Sequence, residues 1–111
     1  MEEKLIDFEI ALDRLGGDKD FLLELYDELN EQMNPTLEQI QSAVESSDFT
    51  QLRSVAHGMK GASSNLGADR LSTYFRQLEQ LGSDQSVSGA TEIVDKIKLT
   101  HAEMLNYLKT I

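Results

Sequence analysis

Apolar residues recur three or four positions apart along most of the chain, and no run alternates long enough to make a strand. The sequence therefore predicts helices throughout. Leu5, Phe8, Leu12 and Leu15 mark a short first helix over about 5–15, stopped by Gly16-Gly17. Asp18 offers a cap for a long second helix over 18–46, with apolar positions at Leu22, Leu25, Leu29, Met33, Leu37, Ile40 and Val44. That phase continues through Pro35 and puts the proline on the opposite side, so one kinked helix is expected in place of two. Asp48 and Gln51 have the spacing of a capping box at the head of a third helix, which runs to about Leu66 and ends at Gly67. A fourth, 68–81, carries Leu71, Phe75, Leu78 and Leu81 and is expected to close at Gly82. Residues 82–89 read as a loop. The last helix, 90–110, carries Ile93, Ile97, Met104 and Leu108 on one face. The expected architecture is all-α: an antiparallel four-helix bundle with a short additional N-terminal helix packed on one end, in a single domain over 1–111.

Composition narrows the functional classes. The chain has 111 residues and no cysteine, which excludes disulfides, thiolate metal sites and cysteine nucleophiles. The first residues are acidic with no apolar run behind them, and no stretch is apolar enough to span a bilayer, so a soluble cytoplasmic protein without membrane insertion is expected. Net charge is −10. It is uneven: residues 1–50 carry a net −11, residues 51–70 a net +2 and residues 71–111 a net −1. Nucleic-acid binding, which needs a broad basic face, is not expected. The one locally basic stretch surrounds a histidine.

On the third helix Leu52, Val55, Ala56, Met59 and Leu66 share one side of the wheel, and Arg53, His57, Lys60, Gly61 and Ser64 fall nearly opposite. His57 thus points away from the core, with Lys60 and Gly61 one turn further on. A neutral imidazole is a good nucleophile near neutral pH, because its ordinary pKa is about 6.5. Its attack on a phosphoryl group gives a labile phosphoramidate that can be passed on. Lys60 places positive charge near the phosphoryl oxygens. Gly58 and Gly61 each cost a helix interior roughly 1 kcal/mol relative to Ala, a cost that close access to His57 by another protein would offset. Ser64 offers a further hydrogen-bond donor. His57 lies about ten residues before the turn at Gly67-Ala68, and Glu79 about eleven after it, so a hairpin brings the two level. A Glu79 carboxylate there would fix the ring's tautomer and leave the other nitrogen free to attack.

The segment Ala56-His-Gly-Met-Lys-Gly-Ala-Ser-Ser-Asn-Leu-Gly-Ala68 resembles the signature of histidine-containing phosphotransfer (HPt) domains, a His followed by Lys-Gly and a closing Gly-Ala. Residues 37–43 ahead of Asp48-Phe49, and Arg76-Gln-Leu-Glu-Gln-Leu-Gly82, resemble the family as well. The resemblance covers roughly residues 6–82, and the last helix by length. Gly58 departs from it, since a larger residue is commoner there. The resemblance implies a four-helix bundle whose exposed histidine takes a phosphoryl group from one receiver-domain aspartate and gives it to another. His57 would be the acceptor, Lys60 its electrostatic neighbour, Gly61 the access and Glu79 the polar neighbour of the ring. The implied partners are a response-regulator receiver domain and a hybrid histidine kinase. No cofactor or resident metal is expected, a monomer is the simpler expectation, and the lack of a Gly-rich phosphate loop makes the domain a carrier without kinase activity of its own.

Two other classes are weaker. A helical adaptor would dock partners through the third helix with no need of His57. A hydrolase using His57 as base would need a nucleophile and an oxyanion site, and Ser63 and Ser64 are too close on the same helix to build one. His101 falls in phase with Ile97, Met104 and Leu108, so a half-buried structural histidine with a hydrogen-bond partner is expected there, and not a metal site shared with His57.

Overall fold

The computed structural model describes residues 4–111; Met1 to Glu3 of the expected acidic start lie outside the described residues. They form five helices: α1 (Phe8–Arg14), α2 (Lys19–Ser46), α3 (Phe49–Asn65), α4 (Asp69–Ser83) and α5 (Ala90–Leu108). No strand occurs among the described residues. The chain runs up and down through α2 to α5. Each of these helices packs on the next, and α5 closes back on α2, so the four make the expected bundle.

Local chemistry sets most of the boundaries. Asp7, Asp18 and Asp48 cap α1, α2 and α3, their carboxylates accepting the backbone N–H of Ile10, Phe21 and Gln51. Only half of the expected capping box forms at Asp48, because its own N–H already donates to the Ala43 carbonyl at the end of α2 (2.9 Å). The α3–α4 turn is a left-handed cap at Gly67 (φ +71°): Ala68 N–H donates to Ser63 and Gly67 N–H to Ser64. Gly82 differs from expectation. It does not end α4, which continues to Ser83, and it is buried. A Cβ at Gly82 would lie 2.8 Å from Arg53 N and 2.9 Å from the Phe49 carbonyl. At this glycine α4 approaches the backbone of α3 too closely to admit a side chain.

α2 is continuous through Pro35, as the apolar phase requires. Pro35 is exposed, and so is Glu31, whose carbonyl loses its helical partner to the proline.

The core joins Leu22, Leu29, Met33 and Ile40 of α2 with Leu52, Ala56 and Met59 of α3, Leu71, Phe75 and Leu78 of α4, and Val94, Ile97 and Met104 of α5. Tyr26 is buried among them and donates its hydroxyl to the Leu66 carbonyl (2.8 Å). Burial, with Tyr107 and Asp7 nearby, pushes this phenol up to about 12, so it remains a donor. The chain before α1 lies against the α3–α4 turn: Asp7 N–H donates to the Gly67 carbonyl (2.7 Å), and Arg14 Nη1 to the Ser64 carbonyl (2.9 Å). The short helix therefore braces the end of the bundle where α3 stops.

Candidate functional site

The apolar phase of α3 buries Leu52, Ala56, Met59 and Ser63 and turns Ser54, His57, Gly58, Gly61 and Ser64 outward. The His57 side chain is 68% exposed. Antiparallel α4 brings Glu79 to the same level, on the flank of the face that buries Phe75 and Leu78. One Glu79 oxygen, Oε2, lies 2.6 Å from His57 Nδ1; the other, Oε1, accepts from Lys60 Nζ at 2.7 Å. Ser72 of α4 adds a second link, its hydroxyl donating to the Lys60 carbonyl at 3.2 Å.

This geometry decides the protons. The Lys60 hydrogen bond, helped by His57 and by the charges of both, holds the Glu79 carboxyl below its ordinary range against an opposing contribution from burial. Glu79 is thus an ionised, acceptor-only group near neutral pH. Two heavy atoms 2.6 Å apart need a proton between them. Nδ1 must carry it. In the neutral ring the lone pair then resides on Nε2, the nitrogen that Glu79 leaves free.

The site lies along an open groove between α3 and α4 lined by Thr50, Arg53, Ser54, His57, Glu79 and Ser83. Gly58 and Gly61 are exposed beside it, and a Cβ on either would meet no atom within 4 Å. Nothing inside the molecule requires a glycine at these positions. The structure brings His57, Lys60 and Glu79 together, with Gly61 next to them. It does not bring Ser64 to the ring: seven residues along a helix is about 10 Å, and the Ser64 carbonyl is engaged by Arg14. His101 lies elsewhere, half-buried, its Nε2 3.0 Å from Asn30 Oδ1, and burial lowers its pKa. Among the described residues no group of three His, Asp or Glu is placed to hold a metal ion. Sequence reasoning missed the groove and its floor. The available signal was Gly82, which continues the buried series Leu71, Phe75, Leu78 in phase and so marks a helix contact.

The model of the Hpt domain family matches residues 24–109, most of the chain. The chain belongs to the Hpt domain family. Its general work is therefore histidine phosphotransfer in phosphorelays. The match spans α3 with His57, α4 and α5 and most of α2, and starts after α1. Among solved structures the chain is similar to the crystal structure of histidine-containing phosphotransfer protein B (HptB) from Pseudomonas aeruginosa PAO1. The TM-score is 0.86 and the identity 23%, over 98% of this chain and 95% of that one, a likeness of fold. No curated protein sequence matches the chain. As in the rest of the bundle, no helix among the described residues of this Hpt domain is long and apolar enough to cross a membrane.

Proposed function

We propose that this Hpt domain carries a phosphoryl group on His57 Nε2 between receiver-domain aspartates, accepting it from the receiver of a hybrid histidine kinase and passing it to a response regulator. The observation that carries the reading is the exposed ring whose Nδ1 is held by an ionised Glu79 while Nε2 stays free.

In the forward step the Nε2 lone pair forms the N–P bond as the acyl-phosphate O–P bond of the donor breaks, and the aspartate leaves with the electron pair. In the neutral ring no proton need leave Nε2, because the one ring proton is held on Nδ1 by Glu79. The ring becomes cationic, and the Glu79 carboxylate at Nδ1 offsets that charge. Lys60 acts here through Glu79, holding the carboxylate ionised and in place. Bare backbone at Gly58 and Gly61 lets the partner approach to bonding distance. The step is readily reversed, which suits a carrier. The sequence holds no Gly-rich phosphate loop that would make the domain a kinase.

The test is phosphoryl transfer from a phosphorylated receiver domain to the wild type and to His57→Gln. Acid-labile, base-stable label on the wild type alone is expected. Equal labelling of His57→Gln, or none on the wild type across several donor receivers, would overturn the reading.

A further inference from the structure

The incoming phosphoryl group brings negative charge to a place already holding the Glu79 carboxylate. Lys60 does not answer it, because its ammonium is 2.7 Å from Glu79 and their charges offset. Four basic side chains occur on the α3–α4 hairpin. Lys60 pairs with Glu79, and Arg70 pairs with Glu103 at 3.1 Å. Among the described residues Arg53 and Arg76 make no ion pair, and of these two only Arg53 lines the groove that contains His57.

Arg53 stands one turn before His57, at the i−4 position that shares its face. Side chains on a helix lean toward its N-terminus, so the His57 ring lies over the turn that contributes Arg53 and Ser54. The base of Arg53 is seated by the close approach at Gly82, where an added Cβ would lie 2.8 Å from Arg53 Cβ. That leaves groove and solvent for the guanidinium, whose planar fork matches two phosphoryl oxygens.

We propose that Arg53 binds the phosphoryl oxygens as the group arrives at and leaves His57 Nε2, with Lys60 and Glu79 serving the opposite, Nδ1 side of the ring. This rests on the carrier function above and divides the labour within it. The guanidinium stabilises charge on the three equatorial oxygens while the N–P bond forms, and no proton moves through it.

The experiment uses phosphoramidate, a small donor that transfers its phosphoryl group with no docked partner, so that binding of another protein does not enter. Phosphohistidine formation is followed by 31P NMR in the wild type, Arg53→Gln, Arg53→Lys and Arg76→Gln, with thermal melts of each. Arg53→Gln is expected to be phosphorylated about tenfold more slowly, a smaller loss than for a buried oxyanion donor because the site is open to water. Arg53→Lys should fall in between and Arg76→Gln within twofold of the wild type, all with similar melting curves. Arg53→Gln at the wild-type rate would overturn the proposal and leave the carrier function standing. So would an equal loss in Arg76→Gln, which would mean a diffuse positive field. A wild type that forms no phosphohistidine would overturn both.

Discussion

Glu79 has two neighbours that lower its pKa, and this ties the site to stability. A carboxyl held lower in the folded than in the unfolded chain stabilises the fold above its unfolded value, about 4.5, and loses that contribution as pH falls through the folded value. Glu79→Gln should therefore be less stable than the wild type at pH 7, and the gap should close as pH falls through the lowered folded value. Urea unfolding at pH 7 and through an acid series checks it. A gap that stays constant would show that the carboxylate's charge contributes nothing. His101 illustrates the opposite use of the same side chain as His57. Burial disfavours its charged form, and its bond to Asn30 joins α5 to α2, so it is suited to holding the bundle and not to chemistry at its surface.

Three of the seven glycines sit inside helices, and their surroundings divide them. Gly58 and Gly61 have open space where a Cβ would be, so Gly61→Ala should stabilise the fold by up to about 1 kcal/mol in thermal or chemical unfolding. Gly82→Ala should destabilise it by about 1–3 kcal/mol, because the new atom meets backbone. Equal effects at the two positions would contradict the packing described. The same comparison shows what the sequence made legible. Apolar phase placed all five helices and the Gly67 turn, and counting from that turn paired His57 with Glu79. It could not show that Lys60 faces Glu79, since a lysine at i+3 from the histidine reaches either way. Nor could it find the Tyr26 hydroxyl bond, whose partner carbonyl at Leu66 is forty residues distant and set by tertiary packing alone. Gly82 was misread because a glycine at a helix's end and one at a helix contact leave the same mark in sequence.

The assembled bundle measures 42 × 27 × 22 Å and confines a net charge of −10, most of it from the first fifty residues and much of that on α2. Self-repulsion at this density opposes the compact state, and salt screens it, with a screening length of about 8 Å at 0.15 M. Raising sodium chloride from about 0.02 to 0.2 M should raise the melting midpoint by a few degrees, the shift expected if about 0.5–1 kcal/mol of repulsion is screened in a domain of this length. A midpoint that falls with salt would mean that the ion pairs, the Glu79 pair foremost, outweigh the repulsion.

The contact at Gly82 also governs how far α4 can slide along α3. One helical turn of slippage, about 5.4 Å, would present Phe75 or Ser83 to His57 in place of Glu79, and neither can hold its Nδ1 proton as a carboxylate does. The hairpin thus works as a vernier, its register set by an absent side chain near one end and read out by a single proton at the middle.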